Sequence, residues 1–229
     1  MSETLPEGIP RRDGSELRVG SGLALQPARA GLARGAGGAA RIAAGRKAQP
    51  NGIWGMALFL CAETMLFVGV IGSYFYLDFR VSRWPPPGVK LPATLDPSVL
   101  TAVLVATSVP MALAARRARA GLPGPTVRLI AVAAFVQAGY LAFQLHQFVA
   151  ELHTLSPRSS AYASAYFTLL GLHHAHVLLG VLFDLGLLFW LRSGLSAYRV
   201  TGVRAVALYW HVINAIAVAV LLTSISPSL

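Results

Sequence analysis

Charge is scarce in this chain. Asp, Glu, Lys and Arg make up only 12% of its 229 residues, about half the share usual in soluble domains, which argues against a water-soluble catalytic domain. Cysteine is scarcer still. Cys61 stands alone, so an intrachain disulfide is excluded and the redox compartment cannot be inferred from thiols. Acidic residues number 9 against 19 basic ones. Such an excess suits a nucleic-acid binder when it forms a patch, but here it is dispersed in a pattern that has another cause. The sequence also lacks a nucleotide-binding motif and a convincing internal repeat, and its first 50 residues hold no apolar core of signal-peptide length.

Apolar sequence is what the chain has in abundance, at 55% hydrophobic residues and a mean hydropathy of +0.60. Five runs are long enough to cross a bilayer: 53–77, 98–115, 126–150, 163–191 and 202–225. The fold class is therefore an all-α membrane protein with five transmembrane helices. Pro110 should kink the second, and the fourth is long enough to require tilt. Fifteen of the 19 Lys and Arg residues fall before span one, after span two or after span four, leaving four on the other side. That asymmetry puts the N-terminus in the cytoplasm and the C-terminus outside. The positive charge thus carries topology, with some attraction to anionic lipid and no call for nucleic acid. Residues 1–50, rich in Arg, Ala, Gly and Pro, read as a disordered basic cytoplasmic arm, and 51–229 as the membrane domain. "RWPPPG" (83–88) reads as a stiff polyproline-like strut. Trp54, Trp84, Tyr162 and Trp190 fall near span ends, as an aromatic belt would.

Ionisable residues within spans are functional candidates by default, and few occur here. Glu63 lies near the middle of span one. It needs a partner or else a bound proton, as a proton-relay member, a lipid contact or an interhelical hydrogen bond. On span four, His173 and His176 are three apart and share a face, and Asp184, eleven residues after His173, returns to it. His174 points elsewhere. Span five supplies Trp210, His211 and Asn214. Asp184 and His211 lie at similar depth, which suggests a hydrogen bond between them. His146, Gln147, Glu151 and His153 sit at the far end of span three, where water accounts for them. His173, His176 and His211 could supply three metal ligands, but their spacing has no closed signature. A bis-histidine haem would need His146 to face a histidine at equal depth. A third possibility, the usual one for histidines inside a membrane, is that they link helices by hydrogen bonds.

Four segments in order resemble one family, subunit III of the haem–copper oxidases. "WGMALFLCAETMLFVGV" (54–70) resembles its helix with a mid-membrane glutamate, at Glu63. "SSAYASAYFTLLGLHHAHVLLG" (159–180) is similar to its lead into G-x-H-x-x-H-V, at Gly171, His173, His176 and Val177. "LYWHVINAIAVAVLLTSI" (208–225) resembles its final helix, with Trp210–His211, and "FQLHQF" (143–148) the end of its middle helix. The resemblance runs from about residue 53 to the C-terminus. Five spans match bacterial forms, against seven in the mitochondrial type. Gln147 and Asn214 stand where the family commonly has Glu and Asp, so details that rest on those carboxylates do not transfer.

The resemblance implies a non-catalytic subunit with no cofactor of its own, the haem and copper belonging to its partners. It implies two packed helix groups with a lipid-holding cleft. It places Glu63 by that cleft, as a lipid-linked or proton-linked carboxylate, with His173, His176, Asp184, Trp210, His211 and Asn214 forming a structural polar seam. The partners implied are oxidase subunit I, subunit II, phospholipids, and cytochrome c or quinol as donor to the complex, in a bacterial inner membrane. Such a subunit would stabilise the catalytic subunit and support proton uptake during oxygen reduction coupled to proton pumping. Alternatives are an accessory membrane protein of a nitric oxide reductase and a b-haem membrane anchor.

Overall fold

The computed structural model describes residues 51–89 and 94–228, without the side chain of the last of these. The arm expected over 1–50 lies outside the described residues. Within the described part, helix α1 spans Asn51–Arg80, α2 Leu95–Ala106, α3 Ser108–Arg119, α4 Pro123–Thr154, α5 Ala161–Leu191 and α6 Ala197–Ile225, followed by a single 3₁₀ turn, Ser226–Ser228. With α2 and α3 counted as one broken helix, five helices are long and apolar enough to cross a membrane. No strand occurs among the described residues. A chain in hydrocarbon must satisfy its backbone internally, and the helix does so within one segment.

Each expected span is present, extended by a few residues at one or both ends. The added turns are polar, as at Asp78 and Arg80 of α1 and Glu151–Thr154 of α4, and a helix keeps its hydrogen bonds in a headgroup layer without apolar side chains. Local chemistry sets the ends. The Ser160 hydroxyl accepts from Ala163 N at 3.1 Å at the start of α5, and that of Ser196 from Arg199 N at 3.3 Å at the start of α6. Pro123 opens α4, where its missing N–H costs nothing. Gly121 (φ 73°) and Gly194 (φ 86°) turn the chain after α3 and α5 through left-handed backbone. Arg199 donates to the Ser193 and Gly194 carbonyls at 2.8 and 2.9 Å, closing the end of α5.

The kink expected from Pro110 falls at Thr107, between α2 and α3. Proline removes one N–H and clashes with the carbonyl four residues back, so the break precedes it. The Thr107 hydroxyl donates to Leu104 O at 2.6 Å and accepts from Gln137 Nε2 of α4 at 3.1 Å, which ties the break to its neighbour. The polyproline strut is not found. Residues 81–85 bend, and Val89 N returns to Pro86 O at 3.2 Å. Trp84 packs edge-on against Tyr74 and Tyr162, with centroids 5.2 and 5.1 Å away. That aromatic contact draws the segment back onto the bundle.

The axis of the bundle is α6, which touches α1, α2, α3 and α5. Its most apolar window is 56% buried against 11% for α1, and among the described helices α1 packs only on α5 and α6. Gly180 marks the closest approach of α5 to α6. A Cβ there would lie 2.6 Å from the Trp210 ring and 2.9 Å from that of Tyr209. Small residues admit such contacts between membrane helices. Gly180→Ala should therefore cost about 1–3 kcal/mol through overpacking, read as a lowered melting temperature in detergent. Gly186→Ala, where a Cβ meets nothing within 4 Å, should leave it unchanged. Equal effects would refute the close contact.

Candidate functional site

The polar residues of the bundle gather into three sets, each joining different helices. The first joins α1 to α5. Glu63 lies roughly 18 Å along α1 from Asn51 at 1.5 Å per residue. Its Oε2 is 2.8 Å from His176 Nε2. The other ring nitrogen of His176, Nδ1, is 2.7 Å from the Leu172 carbonyl. A carbonyl only accepts, so Nδ1 carries a hydrogen. The Nε2–Oε2 contact must then hold one further proton. It resides either on Nε2, giving an imidazolium and a carboxylate, or on Glu63, giving two neutral groups. Both states keep the hydrogen bond and the net charge, and differ only by a proton shift along 2.8 Å. Phe67 packs against the imidazole with centroids 5.0 Å apart, and the Tyr209 hydroxyl donates to the His176 carbonyl at 2.7 Å. The His176 side chain is 10% exposed and that of Glu63 20%, so the carboxyl is reached from the periphery of the bundle.

The second set joins α5 to α6. Asp184 is fully buried and its Oδ2 accepts from Trp210 Nε1 at 2.9 Å. The expected Asp184–His211 bond is replaced by this one. His211 follows Trp210 by one residue, about 100° around the helix. It faces outward, and its Nδ1 bonds to the Ala207 carbonyl of its own helix. His211 thus leaves the polar seam while Trp210 stays in it. Asn214 Nδ2 donates to Ser108 Oγ of α3 at 2.8 Å, below the same aromatic layer.

The third set joins α4 to α5. Gln144 Nε2 donates to the Tyr140 hydroxyl at 3.1 Å, and that hydroxyl lies 3.3 Å from His173 Nε2. His173 and His176 therefore serve different helices, α4 and α1, although they share one side of α5. His174 does point elsewhere, as its position suggests, but it is 5% exposed and packs edge-on against Phe148 of α4. Neither of its ring nitrogens has a hydrogen-bond partner among the described residues. His146 and His153 are exposed, as expected. Glu151 departs from the expectation of simple hydration, because it is partly buried and accepts from the Tyr166 hydroxyl at 3.1 Å. Sequence reasoning passed over Tyr140, Gln137, Gln144 and Tyr209. The first three recur at spacings of three and four along α4, a polar stripe that periodicity can show. Tyr209 gives no such signal. No group of three or more His, Cys, Asp or Glu is arranged to hold a metal ion among the described residues.

Two apolar hollows lie on the α1–α6 side. One, of about 390 Å³, is lined by Thr64, Phe67, Ile71, His211, Val212 and Ile216. Its neighbour, of about 350 Å³, is lined by Ala57, Leu60, Cys61, Met65 and Leu208 among others. Both flank the stretch of α1 that carries Glu63.

Asp184→Ala should cost about 1–2 kcal/mol, as for other hydrogen bonds between membrane helices, whereas Asp184→Asn, which keeps an acceptor for the indole, should cost less. A double-mutant cycle of Asp184→Ala with Trp210→Phe should show coupling, and one with His211→Ala none. The reverse pattern would restore His211 as the partner of Asp184.

Comparison with known proteins identifies the family. The family model described as cytochrome c oxidase subunit III matches residues 44–225. Cytochrome bo(3) ubiquinol oxidase subunit 3 of Pseudomonas aeruginosa is 30% identical over 171 residues, covering 72% of this chain and 79% of that protein. Quinol oxidase subunit 3 of Bacillus spizizenii is 28% identical over 166 residues, covering 72% and 81%. Cytochrome c oxidase subunit 3 of Thermostichus vulcanus is 25% identical over 170 residues, again covering 72% and 81%. With five membrane-length helices and a family match from before α1 to the end of α6, the chain belongs to the cytochrome c oxidase subunit III family of haem–copper oxidase subunits.

Proposed function

We propose that this chain is the non-catalytic subunit III of a proton-pumping terminal oxidase in a bacterial inner membrane, packed mainly against subunit I and in the same complex as subunit II. The donor to the complex is cytochrome c or quinol, the two kinds named among its relatives. Arg116, Arg117, Arg119, Arg128, Arg192, Arg199 and Arg204 cluster at the helix ends level with the start of α1, against Arg80, Arg83 and Arg158 opposite. The positive-inside rule then supports a cytoplasmic N-terminus and an external C-terminus.

The observation that carries the mechanism is the 2.8 Å contact between Glu63 and His176. The Nδ1 bond to Leu172 leaves one proton on the Nε2–Oε2 contact, and that proton can move between imidazole and carboxyl with only a local rearrangement. A group of that kind in a low-dielectric layer supports proton uptake by a neighbouring subunit. The same contact holds α1, the least covered helix, to the bundle. The apolar hollows beside it suit acyl chains, and a partner's helices would close them as the second wall of a lipid-holding cleft. In that role the chain stabilises the catalytic subunit by keeping lipid and proton traffic ordered at its flank, while the redox chemistry stays in the partners.

Glu63→Gln should leave assembly intact, because the amide N–H still donates to His176 Nε2, at a cost below about 1 kcal/mol. It should nevertheless slow proton uptake or shorten the active lifetime of the complex, since an amide exchanges no proton on that timescale. Glu63→Leu leaves His176 Nε2 unpaired and should add about 1–3 kcal/mol of destabilisation. Proton uptake followed with a pH dye, turnover before inactivation, and melting temperature separate the two effects. Normal uptake and lifetime in Glu63→Gln would remove the proton-linked role.

A further inference from the structure

The polar groups at the C-terminal end of the bundle form a pocket that the oxidase role does not use. Its mouth, about 220 Å³ in volume, lies between α2, α4, α5 and α6 and is lined by Asp96, Gln147, Glu151, Tyr166 and Ser224. A narrower extension of about 50 Å³ shares most of these residues and runs inward past Gln144 and Phe148 to His174. The volume of the extension admits a small polar group.

Three features define what fits. First, both charged residues lining the pocket are acidic, and neither hollow is lined by Lys or Arg, although basic residues outnumber acidic ones in the chain. Second, Tyr166 donates to Glu151 at the mouth and Phe148 lines the extension, and aromatic faces attract cations. Third, His174, 95% buried by its 5% exposure, borders the extension with both ring nitrogens unpartnered. A neutral imidazole always offers one acceptor nitrogen, and a buried acceptor left empty costs stability. The position matters as well. Asp96 is the second residue of α2, Ser224 the second last of α6, and Glu151 lies in the final turn of α4, so the mouth opens at headgroup level.

We propose that this pocket binds a primary ammonium group, that of an ethanolamine lipid headgroup or of a free amine. An –NH₃⁺ carries three donors. It would enter between the Asp96 and Glu151 carboxylates and donate inward to His174 and to an amide oxygen of Gln144 or Gln147. A quaternary ammonium has no N–H to give His174, so choline headgroups bind less well.

The test uses the full-length protein released from nanodiscs containing equal mole fractions of phosphatidylethanolamine and phosphatidylcholine, with retained lipid read by native mass spectrometry. The expected result is one retained ethanolamine lipid, preferred by about fivefold or more as charge-assisted hydrogen bonds favour it. Asp96→Asn, Glu151→Gln and His174→Phe should each lower that preference towards parity. Asp96 is exposed, so its variant tests the charge without disturbing the core. Free ethanolamine that binds with the same dependence on these residues, with no lipid preference, would assign the site to a soluble amine. Parity between the two lipids together with no binding of ethanolamine would overturn the proposal, as would a preference that survives all three variants. None of these readouts depends on assembly with an oxidase.

Discussion

A polar side chain carried into hydrocarbon must find its partner within the protein, and that requirement decides which faces of these helices meet. Glu63 can be placed near the middle of α1 because His176 of α5 receives it at 2.8 Å. Asp184 can be fully buried because the indole of Trp210 donates to it. Gly180 lets the two helices come close enough for that bond to form. The bundle is thus fixed by a few directional contacts, while its apolar surface, no different to lipid than to a neighbouring helix, supplies packing but little direction.

The same contacts distribute the work of the subunit. Helix α6 is built in as the axis and α1 is left at the edge, its carboxyl within reach of the surroundings and two apolar hollows on its α6 side. The Glu63–His176 contact is the polar tie between this edge helix and α5. The histidines are shared among these helices, with His173 and His174 towards α4, His176 towards α1 and His211 outward.

Much of the fold was legible because hydrophobic length is a strong signal. All five spans were placed to within a few residues, and Pro110 announced the break that Thr107 completes. Membrane-face assignments were weaker for a physical reason. Helix α6 is apolar on nearly every side, so periodicity does not say which residue turns inward, and one residue is about 100° of rotation. That is the difference between Trp210, which meets Asp184, and His211, which does not. The Glu63–His176 pair spans 113 residues of sequence, and each member was identified while their meeting was not, since helix adjacency has no trace in a single sequence. The strut at residues 83–88 failed because local proline content ignored the pull of Tyr74 and Tyr162 on Trp84.

The most direct measurement is to purify the full chain through a C-terminal tag in mild detergent, identify what accompanies it, and record the visible spectrum of the complex and then of the chain alone. The expected result is a large haem- and copper-bearing subunit with oxygen-reducing activity in the complex, and no haem band from the chain itself. A haem spectrum from the isolated chain would contradict it, and would make His146, His173, His176 and His211 the ligands to test.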